Sequence, residues 1–169
     1  METLKAILSR RSIRKYSNKN IPEEYYELLL KAAMHAPSAR NRQPWHFIII
    51  SDRHILNRLA VVSPSWKMLE TAASAIVVCG DLNLEDSESF IIQDCAAATQ
   101  NILLAAHESG LGSVWLGVHP REDRLKPLIE ILQIPVHVLP VSMVSLGKPD
   151  EDREQPDRYN LERIHQDGW

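Results

Sequence analysis

A basic cluster near the amino terminus carries side chains that could bind phosphate. The segment Arg10-Arg11-Ser12-Ile13-Arg14 combines three guanidinium groups with one hydroxyl. Guanidinium groups present planar forks that hold phosphate or polarised carbonyl oxygens, and a serine adds a hydroxyl donor. The same residues would also suit the solvated basic end of a helix, so this segment alone leaves both interpretations open.

A polar loop from Ser38 to Trp45 carries groups that could recognise a heterocycle. Its Asn41 and Gln43 side chains offer amide edges, which pair with alternating donors and acceptors on a ring. Pro37 and Pro44 stiffen the two ends of the loop and would keep these amides aimed. The alternative is a plain connection between a helix and a strand, because loops are polar in general.

A glycine-rich segment covers Ser109 to Gly117. It lacks the third glycine of the G-x-G-x-x-G pattern, where Trp115 stands instead, and it precedes a strand rather than a helix, which excludes a dinucleotide-binding fingerprint. Gly110 is expected to end a helix as its cap. Gly117 lies inside an apolar strand and therefore suggests close approach of a ligand or of another backbone.

A fourth polar segment, Leu146-Gly147-Lys148-Pro149, is followed by Arg158 in the carboxyl-terminal tail. Lys148 and Arg158 could complete a phosphate site that the amino-terminal cluster begins. An ordinary charged carboxyl terminus would contain the same residues.

Hydrophobic periodicity predicts the elements that must position these segments. Helices are predicted at residues 2–9, 22–36, 53–61, 89–109 and 121–132, and strands at 46–50, 75–80, 113–118 and 141–146. The last strand is started after Pro140 because proline cannot donate to a strand ladder. The helix at 89–109 is apolar nearly all round and is expected in the middle of the domain. Helices alternating with strands predict a mixed sheet covered by helices.

Composition narrows the class of protein. With 169 residues, the chain is expected to form a single domain, 1–169, and its net charge of −3 argues against a general nucleic-acid binder. The amino terminus has no signal-peptide pattern and no apolar run is long enough for a bilayer, so we expect a cytoplasmic protein without membrane attachment. Cys79 and Cys95 lack the spacing of metal ligands or redox pairs, which predicts buried thiols and no metal site.

The polar tail from Pro149 to Trp169 would need another surface to lie on, which suggests a partner subunit.

Together and in this order, the four segments resemble the nitroreductase family over essentially the whole chain. The family's Arg-Arg-Ser-x-Arg cluster is matched from Arg10 to Arg14, and its Ala-Pro-Ser-x-x-Asn-x-Gln-Pro-Trp motif from Ala36 to Trp45. The Gly-Leu-Gly-Ser-x-Trp-Leu-Gly segment is matched from Gly110 to Gly117. A Leu-Gly-x-Pro turn is matched from Leu146 to Pro149, followed by the basic Arg158.

The resemblance implies an α+β fold that binds FMN across a homodimer interface, with the tail extending onto the partner subunit. It assigns Arg10, Ser12 and Arg14, with Arg11 beside them, to the phosphate and the pyrimidine side of the flavin. It assigns the loop contacts to the other subunit and the remaining contacts to three further segments. These cofactor-binding residues are Pro37, Ser38, Asn41 and Gln43 in the loop, then Lys67, the backbone near Leu116 and Gly117, and finally Gly147, Lys148 and Arg158.

Two departures from the family pattern affect what is expected. The turn that is usually Gly-Tyr-Pro reads Gly-Lys-Pro here, which adds a charge at Lys148 and puts a packing role of the tyrosine in doubt. The segments at 60–75 and before the long helix are short, which predicts a more open pocket.

The resemblance further implies an NAD(P)H oxidoreductase that reduces nitroaromatic, quinone or similar small acceptors by a ping-pong mechanism. NADH or NADPH would be the electron donor, and no catalytic side chain is assigned because protons can come from water. Arg10, Arg14 and Lys67 would stabilise negative charge on the reduced flavin. Two alternatives remain open: a flavin-binding redox sensor without substantial turnover, and a specialised relative of the iodotyrosine deiodinase or dimethylbenzimidazole synthase type.

Overall fold

The computed structural model describes residues 2–169, in which helices surround a five-stranded sheet. Met1, the first residue of the predicted domain, lies outside the described residues. The helices are α1 (Thr3–Ser9), α2 (Glu23–Met34), α3 (Arg53–Ala60), α4 (Glu88–Glu108) and α5 (Glu122–Leu132). The strands are β1 (Tyr16–Ser17), β2 (Trp45–Ile50), β3 (Ser74–Asp81), β4 (Gly112–Gly117) and β5 (Val138–Pro149). Short 3-10 turns cover Ala39–Asn41, Pro64–Glu70 and Leu161–Arg163.

Strand β5 organises the sheet, since it pairs with β1, β3 and β4, and β3 pairs in turn with β2. All of these pairs are antiparallel. A parallel bridge between Ser12 and Ser113 lies outside the named strands, so within residues 2–169 no strand pair of the predicted mixed sheet is parallel. The α+β fold predicted from the sequence is confirmed.

Side chains of β3 alternate between two apolar clusters because successive residues of a strand point to opposite faces of the sheet. Ile76 and Val78 pack with side chains of α2 and α4. Ala75 and Val77 pack with Trp66 and with side chains of α3 and α5. Helices therefore cover both faces of the sheet, and β3 is buried at its centre.

Helix α4 is the long central helix that the sequence predicted. Its buried face packs against the sheet, where Thr99 Oγ1 donates to the Cys95 carbonyl oxygen at 2.6 Å and lies 2.7 Å from Ser142 Oγ. The helix ends at Glu108, and Gly110 follows with a φ of +70°. This left-handed conformation favours glycine, so the predicted cap is confirmed.

The predicted start of the last strand was wrong, because β5 begins at Val138 and includes Pro140. The register between β3 and β5 shifts between Val78 and Cys79, so that Val78 lies opposite Ser142 and Cys79 opposite Pro140. The shift leaves Val141 as the extra residue of a bulge. A bulge interrupts the ladder locally, and proline is tolerated there without an N–H.

The tail beyond Glu151 is exposed along its length. It carries the exposed apolar side chains Tyr159, Leu161, Ile164 and Trp169. Its extension onto a partner subunit stays a prediction. Among residues 2–169, no helix has both the length and the apolar composition that a membrane crossing would need.

Candidate functional site

The amino-terminal basic cluster is attached to the edge of the sheet. Arg10 caps the end of α1, and the chain then runs beside β4. Ile13 donates its N–H to the Ser113 carbonyl oxygen at 2.9 Å, next to the parallel bridge of Ser12 with Ser113. The side chains that follow α1 are thereby held over one end of the β4–β5 pair.

A cleft of about 430 Å³ opens between this cluster and the carboxyl-terminal segment. Its walls combine four residues of the predicted cluster with five of the tail. The lining residues are Arg10, Arg11, Ser12, Arg14, Arg153, Glu154, Gln155, Pro156 and Arg158. The structure thus brings Arg158 to the amino-terminal cluster, as expected. Such a concentration of guanidinium groups around a hydroxyl suits a phosphate.

The electrostatics of the cleft favour an anion. Burial lowers the pKa of the Arg10 guanidinium, and the positive charges of Arg11 and Arg158 lower it further. Like charges held this close repel one another. A bound anion would relieve this repulsion, which is why we regard the cleft as the candidate phosphate site.

Arg11 differs from its neighbours because its guanidinium donates hydrogen bonds to backbone carbonyl oxygens. Its Nε donates to the Glu154 carbonyl oxygen at 3.0 Å, and its Nη2 donates to that of Leu8 at 2.7 Å. Its Nη1 donates to the carbonyl oxygen of Arg10. Arg11 therefore links α1 to the tail by hydrogen bonds and forms part of the cleft wall.

Glu151 is a residue of this region that the sequence did not single out. Its Oε1 accepts the backbone N–H groups of Arg14 at 2.6 Å and Lys15 at 3.1 Å, and its Oε2 accepts Arg153 Nη2 at 2.8 Å. Its pKa is lowered: burial raises it, but the hydrogen bonds from Arg14, Arg153 and Lys15 outweigh that effect. The acidic run 150–152 was visible in the sequence, yet nothing in it indicates a contact across 137 positions.

The end of β5, where the sequence predicted a turn, is packed by Tyr16. Gly147 pairs with Gly112 and lies under the Tyr16 ring, where a β-carbon would stand 2.6 Å from Cδ1. Lys148 pairs with Ser17 and is exposed. The aromatic ring against this end of β5 therefore comes from Tyr16, while the Lys148 side chain is exposed to solvent.

The polar loop from Ser38 to Trp45, called the amide loop below, has several residues in the left-handed backbone conformation. Arg40, Asn41 and Gln43 have φ values of +52°, +56° and +50°. The Gln43 N–H donates to Ser38 Oγ at 3.0 Å, and Gln43 Nε2 donates to Asn41 Oδ1 at 3.1 Å. Both amide side chains are exposed and lie together, as a ring-binding pair requires.

The loop and the basic cluster of one chain lie far apart. Ala39 donates its N–H to Asp94 near the start of α4, whereas Ser9, beside the cluster, lies 2.8 Å from His107 Nε2 near its end. A separation of 13 helical residues corresponds to about 20 Å. Within residues 2–169 the two halves of the predicted site do not meet.

The remaining predicted residues, Leu116, Gly117 and Lys67, lie in the part of the molecule around Arg124 and Trp66. Leu116 is buried, while the Gly117 carbonyl oxygen accepts Arg124 Nη1 at 2.7 Å. The Arg124 guanidinium lies 5.9 Å from the centre of the Trp66 ring, and Lys67 is the exposed next residue. A β-carbon on Gly117 would lie 3.5 Å from Arg124, an ordinary contact, so the packing within this chain does not by itself require a glycine.

The two cysteines are free and buried, as predicted. Burial raises the pKa of each thiol to about 12, which keeps both protonated and unreactive. In the part of the chain that the structure describes, no three His, Cys, Asp or Glu side chains are grouped as metal ligands.

Comparison with known proteins identifies the family. The chain matches the sequence profile of the nitroreductase family over residues 7–65 and 61–148. A relative from Archaeoglobus fulgidus, provisionally named NADH dehydrogenase/NAD(P)H nitroreductase, is 51% identical and aligns over 99% of both chains. A Parabacteroides distasonis structure with the same provisional name is 41% identical, with a TM-score of 0.95 over 99% of this chain and 98% of that one. A Desulfovibrio desulfuricans protein, provisionally named a nitroreductase and solved in complex with FMN, is 29% identical, with a TM-score of 0.86 over 100% of this chain and 98% of that one. The chain belongs to the nitroreductase family.

Proposed function

We propose that the protein is an FMN-dependent NAD(P)H oxidoreductase that works as a homodimer. It reduces nitroaromatic compounds, quinones or similar small acceptors, and the nicotinamide, oxidised to NAD(P)+, leaves before the acceptor binds. The observation that carries this proposal is the cleft in which Arg10, Ser12, Arg14 and Arg158 converge. The FMN in the Desulfovibrio relative supports the choice of cofactor. When bound, FMN supplies the hydride-transfer chemistry.

The basic cleft would hold the phosphate end of the cofactor. Arg10 is the central donor because it is partly buried and close to two other cations. Ser12 adds a hydroxyl, and Arg158 closes the cleft from the tail. Lys148 and the Gly147 backbone lie at the adjacent end of β5 and extend the positive surface.

The ring system would be held by elements of both subunits. Asn41 and Gln43 present their paired amides from the partner's loop, with Pro37 and Ser38 shaping its entry. The backbone around Leu116 and Gly117 lies at the other end of β4 and would face the reactive part of the ring. Lys67 supplies a positive charge beside it.

The protein's own contribution is orientation and charge. Arg10, Arg14 and Lys67 would favour negative charge at the cofactor's pyrimidine edge because fixed cations stabilise developing charge in place. No side-chain acid or base is assigned, since water can supply protons. The short segments near residues 60–75 leave the pocket open to acceptors of different shapes.

The deciding experiment is the visible absorption spectrum of the purified protein before and after anaerobic addition of NADH or NADPH. A flavin spectrum that bleaches supports the cofactor and the reductive half-reaction together. A flavin spectrum that resists both nicotinamides would instead favour a sensor or a specialised relative. A protein that takes up no FMN on incubation would overturn the proposal.

A further inference from the structure

Asp94 is a buried carboxylate in an apolar part of the molecule. It lies on α4, is 5% exposed, and has Cys95 and Ala98 of the same buried face as neighbours. Its Oδ1 accepts the Ala39 N–H at 3.0 Å. Its Oδ2 is also buried and has no hydrogen-bond partner within the described part of the chain. Burying a carboxylate with so few partners costs free energy, so its presence needs an explanation.

Asp94 contacts the amide loop, whose backbone conformation is itself unfavourable in free energy. Arg40, Asn41 and Gln43 all have positive φ values. A left-handed conformation is unfavourable for most residues other than glycine and persists only when surrounding contacts hold it. The loop therefore needs an external anchor.

Two contacts one helical turn apart anchor the loop on α4. The first is the hydrogen bond from Ala39 to Asp94, and the second places the Arg40 guanidinium 5.5 Å from the centre of the Phe90 ring. The first is a directed hydrogen bond of 3.0 Å to an oxygen of a buried side chain, which would be left without a partner if the bond were lost. The second is a cation–π contact at an exposed site, where such contacts are weak.

We infer that Asp94 is a positioning residue: through the Ala39 N–H, its carboxylate holds the left-handed loop that sets the Asn41 and Gln43 amides side by side for a heterocyclic ligand. This inference rests on the proposed function, which makes that ligand the ring of FMN. Asp94 does not touch the ring in this account. It acts through the backbone, and a packing role alone would be served as well by an apolar side chain.

The test compares three variants as apoproteins. Asp94→Leu removes the acceptor while filling the space, and Asp94→Asn keeps an acceptor oxygen and should rescue. Thr99→Val is the matched control, because Thr99 is a buried polar residue of the same helix that bonds to Cys95 and Ser142 instead of the loop. Should Asp94→Leu fail to fold, Asp94→Ala replaces it.

Hydrogen–deuterium exchange of the apoprotein reads the loop directly. Asp94→Leu should accelerate exchange of the Ala39 amide at least tenfold while its melting temperature stays within a few degrees of the wild type. Asp94→Asn should have a smaller effect, and Thr99→Val should leave the Ala39 amide unchanged. Unchanged exchange in Asp94→Leu would overturn the positioning role whether or not the protein binds FMN.

Ligand selectivity provides the second readout. Titration with FMN and with N3-methyl-FMN, whose methyl group blocks one ring donor, gives two affinities. Their ratio measures how strongly the Asn41 and Gln43 amides discriminate between the two rings. Asp94→Leu should weaken FMN binding about tenfold and reduce the preference for FMN at least threefold, whereas Thr99→Val should preserve the preference. Equal weakening for both flavins would reduce Asp94 to a structural residue. A wild-type protein that binds neither flavin would overturn the proposed function itself.

Discussion

The ring of Tyr16 lies directly against the backbone of Gly147, so closely that a β-carbon on Gly147 would stand 2.6 Å from Cδ1 of the ring and 2.9 Å from the tyrosine's own Cβ. Two hydrogen bonds prevent the ring from moving away. The Tyr16 hydroxyl donates to the Ile13 carbonyl oxygen at 2.7 Å and lies 2.6 Å from Ser145 Oγ, which can donate to it. The pair joins the segment after the basic cluster to the end of β5.

Gly147→Ala should therefore destabilise the protein by about 1–3 kcal/mol, because the added methyl group overpacks a fixed ring and backbone. Thermal or denaturant unfolding measures the change. Gly168→Ala is the control, since no heavy atom would lie within 4 Å of its β-carbon. Equal melting temperatures for the two variants would show that Tyr16 can move without cost.

Arg10→Ala should weaken FMN binding roughly 10- to 150-fold, because a hydrogen bond to a charged group is worth about 1.5–3 kcal/mol. Quenching of flavin fluorescence during titration of the apoprotein measures the affinity. Lys126→Ala removes a cation that pairs with Glu122 on the surface of α5, and it should leave the affinity unchanged. If Arg10→Ala binds as tightly as this control, Arg10 does not hold the phosphate.

Glu151→Gln should lower the free energy of unfolding by about 1.5 kcal/mol at pH 7, since it weakens hydrogen bonds that the carboxylate accepts. The folded state lowers the pKa of this carboxyl, so its contribution is full above the unfolded value of about 4.3 and disappears as the pH falls through the lower folded value. The difference from the wild type should therefore shrink below about pH 4.

Denaturant unfolding at a series of pH values checks the Glu151 prediction. Glu122→Gln is the comparison, because its partner Lys126 is exposed and such surface pairs contribute little. A stability difference for Glu151→Gln that is the same at pH 3 and pH 7 would show that charge is not the cause.

Light scattering should give twice the chain mass of 19.2 kDa. Helix α1 presents Leu4, 67% exposed, together with exposed Ile7 and Leu8, and such a patch is expected to be covered by a partner. Leu4→Glu should shift the mass toward the monomer and weaken FMN binding, whereas Val136→Glu, on an exposed loop residue, should do neither. A wild-type monomer that binds FMN would contradict the shared site.

The positions of the α-helices and of strands β2 to β5 followed from the sequence because hydrophobic periodicity is a local property, whereas the two-residue strand β1 was not predicted. The predicted helix at 89–109 is found at Glu88–Glu108, and the predicted strand at 75–80 is found at Ser74–Asp81. The four polar segments could be recognised for the same reason, since each of the first three is contiguous. The predicted start of the last strand after Pro140 was wrong because the start depends on pairing with another strand. The bulge opposite Cys79 forms only where β5 pairs with β3.

The tertiary structure alone decided which distant residues meet. Asp94 and Ala39 are 55 positions apart, and Glu151 and Arg14 are 137 apart, so no spacing along the chain indicates either contact. The separation of the amide loop from the basic cluster also depends on where α4 places its two ends. By itself, the sequence determined the α-helices, strands β2 to β5, the segments that carry the chemistry and the family resemblance. The packing of α4 and the tail against those segments determined their arrangement, because hydrogen bonds between distant residues form only when the elements that carry them have packed.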